Sequence, residues 1–151
     1  MAELKVTAIR EGTVIDHIPA GKGLKVIEIL RLNRPNGGVL LLASNVHSGK
    51  LGRKDIVKIE GRFLSEEEVN KIALIAPTAT VNIVRDYRVA EKFKVEIPDK
   101  ITGILRCANP NCVSNHEYTV SKFYVVSREP LKVRCHYCER TMEEEEILGN
   151  L

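Results

Sequence analysis

The chain has 151 residues, enough for one domain or two small ones. A net charge of +3, only 5 % aromatic residues and no tryptophan argue against a nucleic-acid platform built on charge and stacking. No apolar run reaches membrane-spanning length and the N-terminus lacks an apolar leader core, so the sequence predicts a cytoplasmic protein with no membrane contact.

Leu4 to Arg10 alternates apolar and polar residues and predicts a strand. Gly12 to Pro19, Gly-Thr-Val-Ile-Asp-His-Ile-Pro, reads as a loop or short extended piece. A helix is expected from about Lys22, with Leu24, Ile27 and Leu30, and less regularly Val26 and Ile29, on its buried side. Asn33 to Gly38 is a strong turn signal. Val39 to Ala43 predicts an apolar strand covered on both faces, followed by a polar connection over residues 45–54. Asp55 to Arg62 alternates again, with Ile56 and Lys58 on one face. Ser65 and Glu68 form a capping box, and the helix they start carries Val69, Ile72, Ala73 and Ala76 before Pro77 closes it. Thr78 to Arg85 predicts a further strand with Val81 and Ile83 inward, and Tyr87 to Phe93 a short one after it.

The order strand, helix, strand, strand, helix, strand is that of a split βαβ sheet. The fold class expected is α+β: an N-terminal ferredoxin-like (βαββαβ) antiparallel sheet with two helices on one face, then a small all-β, zinc-ribbon-like domain. Val95 to Asp99 reads as the link, dividing the chain into residues 1–97 and 98–151. The uncovered sheet face is the natural place for a ligand or a second copy of the chain. The acidic run Glu143 to Glu146 reads as a solvated face.

All four cysteines fall in the second part, as Cys107-x₄-Cys112 and Cys135-x₂-Cys138 with 22 residues between the pairs. Two tight pairs that face one another are how a tetrahedral metal site is built, and four thiolates read as structural zinc with no position left for reactive water. Two disulfides, a Cys135–Cys138 redox pair and an iron–sulfur cluster are the alternatives. Disulfides need an oxidising compartment, the redox pair leaves the other cysteines unexplained, and clusters prefer other spacings. Arg106, Lys132, Arg134 and Arg140 lie beside the ligands in sequence and are expected to offset the thiolate charge.

No catalytic motif is present. Ser48-Gly49-Lys50 lacks the upstream glycine of a phosphate loop, and His17, His47, His116 and His136 are scattered. Asp16-His17 stands out: the carboxylate can accept from sugar hydroxyls and the imidazole can approach a phosphate. With Lys58 and Lys92 the set suits a ribonucleotide. Taken alone, these residues read more readily as a capping Asp and solvated lysines.

The chain as a whole resembles the regulatory chain of aspartate carbamoyltransferase. The likeness rests on Gly12 to Pro19, on Gly52-Arg-Lys-Asp55 with Lys58-Ile-Glu60, on Ala76-Pro-x-Ala-Thr-Val-Asn82, and on the two cysteine pairs. It implies a non-catalytic subunit of pyrimidine biosynthesis whose first domain binds CTP, UTP or ATP and pairs with a second regulatory chain. Its zinc domain docks on the catalytic chain, in an assembly of catalytic trimers bridged by regulatory dimers. By that resemblance Asp16 and Lys58 hold the ribose, and Lys92 and His17 meet the triphosphate. Val6, Ile9, Val14, Ile56, Asn82, Val84, Tyr87 and Val89 form the base and sugar pocket. Cys107, Cys112, Cys135 and Cys138 bind zinc, while Asn109, Asn111 and Glu139 face the catalytic chain. Two other readings are open: a zinc-ribbon nucleic-acid module using Arg128, Lys132, Arg134, Tyr137 and Arg140, and a small-molecule sensor serving another enzyme.

Overall fold

A computed structural model describes residues 9–33, 38–49, 51–117 and 119–151. The chain divides after Glu96 into two compact units, Met1–Glu96 and Ile97–Leu151.

The first unit is a five-stranded antiparallel sheet in the order β2-β3-β1-β4-β5. Its elements are β1 (Gly12–Pro19), α1 (Gly23–Leu30), β2 (Leu40–Ser48), β3 (Gly52–Glu60), α2 (Glu66–Ile75), β4 (Thr80–Arg85) and β5 (Arg88–Lys94). The split βαβ order is present, with β5 added at one edge.

The first strand of that order is Gly12–Pro19, where the sequence predicts a loop or short extended piece. It is the central strand, paired to both β3 and β4. Its pattern is hidden by a bulge. Ile15 pairs with Val57 and Ile18 with Asp55, so β1 carries one extra residue, and His17 takes a left-handed φ of 59° there. The bulge returns Ile18 to the face of Ile15, and both are fully buried. Strict alternation would have separated them. Of the predicted strand Leu4–Arg10, only Ile9 and Arg10 are described, and neither is in a strand. Gly12 cannot carry a side chain: a Cβ there would lie 2.0 Å from the Ile59 carbonyl oxygen.

The apolar run expected to be covered on both faces is instead an edge strand. Leu40, Leu41 and Leu42 are half-buried, and β2 runs on to Ser48. The expected polar connection is therefore mostly a hairpin, with Val46 opposite Lys54 and Ser48 opposite Gly52. A second bulge lies between Ala43 and Val46, where Asn45 has φ 61°.

Asp55 stands opposite both bulges and is 1 % exposed. Its Oδ2 accepts from the Gly21 and Gly23 amides at 3.0 and 2.8 Å. Its Oδ1 accepts from the Asn45 amide at 2.8 Å and the Ser44 hydroxyl at 3.2 Å. One buried carboxylate thus satisfies donors at the start of α1 and in the β2 bulge, as a buried charge must be satisfied.

α1 buries Gly23, Val26, Ile27 and Leu30, but Leu24 is 55 % exposed, against expectation. Eight residues give about two turns, and Leu24 falls off the stripe set by Val26, Ile27 and Leu30. α2 begins at the predicted capping box: Ser65 Oγ accepts from the Glu68 amide at 3.2 Å and Glu68 accepts from the Ser65 amide at 2.9 Å. Its Ile72, Ala73, Leu74 and Ile75 are buried, with Ile15, Ile18, Val57, Ile59 and Val81 of the sheet. Each large side chain removed from water contributes about 1.5–3 kcal/mol.

The second unit is a four-stranded antiparallel sheet in the order β6-β7-β8-β9: Lys100–Thr102, Lys122–Arg128, Leu131–Cys135 and Thr141–Glu143. Ile101, Leu105, Phe123, Val133, Met142 and Ile147 form its core. The acidic run is more than a solvated face. It opens α3 (Glu144–Gly149), where Glu144 to Glu146 complement the positive end of the helix and Ile147 anchors it.

Candidate metal centre and effector face

The segment 107–112 closes as a tight knuckle. The Cys112 amide donates to the Asn109 carbonyl at 3.0 Å, and Asn115 Nδ2 donates to the Cys107 and Asn109 carbonyls at 3.0 and 2.8 Å. The second knuckle leaves the end of β8. There the Glu139 amide donates to the Cys135 carbonyl at 3.0 Å, and Glu139 itself has φ 64°. The two knuckles bring all four Sγ atoms within 4.8 Å of one another. Cys107 and Cys138 lie 3.7 Å apart and Cys112 and Cys135 3.6 Å. The four are thiols, not disulfides. Four convergent, largely buried sulfurs fit one tetrahedral metal ion.

Burial, with the sulfurs of Cys138 and Cys135, pushes the Cys107 thiol up to about 12. Burial also raises Cys135. For Cys138, burial is outweighed by the Arg140 amide, the Asn109 side chain and two neighbouring thiols, which bring it down to about 7. Main-chain amides, joined at Cys138 by the Asn109 side chain, thus meet sulfur charge: Asn109 N lies 3.5 Å from Cys107 Sγ. The expected cations have other partners. Lys132 pairs with Glu143 at 3.7 Å and Arg140 with Glu146 at 2.9 Å, while Arg106 Nε donates to Asn115 at 3.4 Å. Arg134 neighbours Cys135 on a strand, so alternation turns it to the other face. Of the expected interface residues, Asn111 and Glu139 are exposed on the knuckles, and Asn109 is half-buried with its Oδ1 accepting from the Asn111 amide at 3.0 Å.

In the first unit, pairing builds one row on the face away from the helices. Lys58 stands opposite Val14, Val14 opposite Asn82, and Asn82 opposite Lys92. Directly paired residues share a face, so four expected effector residues from four strands are neighbours there. Ile56, two residues before Lys58, and Asp16, two after Val14, add to the same face. Val84 also shares it, opposite Val89, and is buried. The Asp16 Oδ1 accepts from Lys54 Nζ at 2.9 Å and from the His17 amide at 2.6 Å. His17 Nδ1 lies 3.2 Å from Thr80 Oγ1, and its carbonyl accepts from the Thr78 hydroxyl. Tyr87, in the β4–β5 turn, is 64 % exposed, and Ile9 is buried. Val6 lies outside the described residues. Lys54 and Asp55 were given no role by sequence reasoning. The signal for Lys54 was its place in the alternation of Lys54, Ile56 and Lys58. Nothing local marks Asp55, whose partners come from two other segments.

A split βαβ sheet joined to a four-cysteine unit defines a two-domain metal-binding protein of the α+β class. Residues 4–96 match the family described as aspartate carbamoyltransferase regulatory chain, allosteric domain, and residues 99–148 match its metal binding domain. The chain is 90 % identical over 151 residues to the aspartate carbamoyltransferase regulatory chain of Thermococcus onnurineus, covering all of both chains. It is 81 % identical over 152 residues to that of Pyrococcus abyssi, again covering all of both. To that of Thermofilum pendens it is 57 % identical over 150 residues, 98 % of this chain and 94 % of the relative. The chain therefore belongs to the family of aspartate carbamoyltransferase regulatory chains, non-catalytic subunits with an allosteric and a metal-binding domain. No helix among its described residues is long and apolar enough to cross a membrane.

Proposed function

We propose that residues 1–97 bind nucleoside triphosphates on the open sheet face, CTP and UTP as inhibitors and ATP as activator, and that residues 98–151 hold one zinc ion and dock on the catalytic chain in the cytoplasm. The observation that carries the effector site is the row Lys58, Val14, Asn82 and Lys92. Three strand spacings separate its ends, roughly 14 Å, which suits a cation at each end of a nucleotide and neutral groups between. Lys92, with His17, takes the triphosphate; Lys58 and Asp16 take the ribose. Among the described residues Lys54 and the His17 amide meet Asp16 at Oδ1, so Oδ2 is the acceptor for a sugar hydroxyl. Val14, Ile56, Asn82, Val84 and Val89 line the base and sugar side, with Ile9 and Tyr87 in neighbouring segments, and Val6 is assigned to the pocket by the family resemblance alone.

Purine and pyrimidine triphosphates share the phosphate contacts, so opposite effects must come from the base favouring different arrangements of the domain. The coupling to the catalytic subunit is expected at about 1–3 kcal/mol and is reciprocal: substrate occupancy shifts nucleotide affinity by the same factor.

For the metal, a tetrahedron with Zn–S near 2.3 Å has edges of about 3.8 Å, close to the 3.6 and 3.7 Å sulfur pairs. Zinc would brace both knuckles, supplying folding energy and no chemistry. Asn109, Asn111 and Glu139, carried on those knuckles, are the contacts proposed for the catalytic trimer. The half-buried leucines of edge strand β2 are the surface proposed for the regulatory dimer, where a strand edge unpaired among the described residues invites a second copy.

The decisive experiment mixes the chain with its catalytic subunit and follows assembly and velocity with and without CTP and ATP. Assembly with a nucleotide-dependent rate is expected. A velocity indifferent to both nucleotides in the assembled complex overturns the effector reading.

A further inference from the structure

We propose that the outward face of the second unit's sheet is a docking surface for a carboxylate-rich segment of the protein partner. The proposal rests on the docking role given above to residues 98–151 and names the chemistry of the contact.

Ile101, Phe123, Val133, Cys135 and Met142 point into the core, so alternation sends the residues between them to the other face. Pairing then fixes two rows. Lys100 stands opposite Tyr124, and Tyr124 opposite Arg134. Beside them Lys122 stands opposite Thr102, and its carbonyl accepts from the His136 amide at 2.9 Å. Lys100 and Arg134 are exposed and Lys122 is half-buried. Among the described residues none of these three forms an ion pair. On the same face Lys132 pairs with Glu143, which leaves Lys100, Lys122 and Arg134, on two adjacent rows about 10 Å across, as a net positive patch.

Three of the unit's acidic residues have cationic partners within it. Glu143 pairs with Lys132, Glu146 with Arg140 and Asp99 with Arg128. A second copy of the chain, itself carrying a net charge of +3, matches this patch less well than a carboxylate-rich surface. A single-stranded nucleic acid fits less well, because it gains from stacking on an open ring. Tyr124, the aromatic residue of these rows, has Lys100 Nζ over its ring at 5.9 Å, its hydroxyl on His136 Nδ1 at 2.8 Å and the His136 ring edge-on at 5.6 Å. What the face offers is fixed positive charge with small polar neighbours. Its complement is a set of carboxylates on a partner surface, which sets encounter rate and salt dependence.

The test uses the full metal-loaded chain and its catalytic subunit, with the double variant Lys122→Glu, Arg134→Glu and, separately, Asn111→Ala on the knuckle. Bound metal per chain serves as the folding control. The charge-reversed chain is expected to assemble at least tenfold more weakly at low salt, through slower association, and to lose most of the wild type's salt dependence. Unchanged affinity and salt slope, with Asn111→Ala weakened, would overturn the proposal while leaving docking at the knuckles intact. If neither variant alters assembly, the docking role itself fails. If assembly is unchanged and a fluorescent oligouridylate binds the wild type but not the double variant, the face serves nucleic acid and the proposal is wrong.

Discussion

Lys58 on β3 and Lys92 on β5 lie in one cross-strand row, with only Val14 and Asn82 between them. Removing Lys92 takes away a charge contact common to every triphosphate. Lys92→Ala is expected to weaken CTP, UTP and ATP alike by about tenfold, near 1.5 kcal/mol. Calorimetric titration of each nucleotide checks this. Loss of one nucleotide with the other spared would move the phosphates away from Lys92.

Asp16 is held by Lys54 and by the His17 amide, both at Oδ1. If its other oxygen takes a ribose hydroxyl, Asp16→Asn weakens CTP and leaves dCTP nearly unchanged. The CTP-to-dCTP affinity ratio should fall toward one. An unchanged ratio places the sugar elsewhere.

Asp55→Ala strips the acceptor from the Gly21, Gly23 and Asn45 amides and the Ser44 hydroxyl. Buried donors left without a partner cost about 1–3 kcal/mol each, so the first unit should lose at least about 3 kcal/mol. A denaturant titration reads the loss, while metal content of the second unit stays at its wild-type level. Asp55→Asn keeps the shape but turns one acceptor into a donor facing amides, and should recover only part of the loss.

Metal binding must displace the thiol protons. In the metal-free fold Cys107 stays protonated up to about pH 12, and Cys138 only up to about 7. Zinc affinity should therefore fall as the pH drops, and more steeply below about 7, where Cys138 adds a proton to those displaced. Competition with a chromophoric chelator at pH 6, 7 and 8 measures the slope. Stripping the metal at neutral pH should unfold residues 98–151 and release the catalytic subunit. A complex that survives metal removal would show that the knuckles do not depend on the ion.

The cysteine tetrad, the Ser65–Glu68 capping box and Pro77 were legible in the sequence because each acts over a few residues: knuckle spacing, a first-turn hydrogen bond and a fixed φ are local properties. From α1 onward the order of elements followed from periodicity, whereas its first strand is Gly12–Pro19 and not the expected Leu4–Arg10. Periodicity failed at Gly12–Pro19, where an inserted residue at the His17 bulge puts Ile15 and Ile18 on one side. It failed again at β2, since an apolar run does not say whether its strand lies at the centre or the edge of a sheet. Only the tertiary structure decided that Lys58, Val14, Asn82 and Lys92 are neighbours, that Asp55 serves donors from two other segments, and that Arg134 turns away from the sulfur of Cys135. Register is set by how strands pair across the sheet, and a one-residue slip exchanges the two faces. No single segment carries that information.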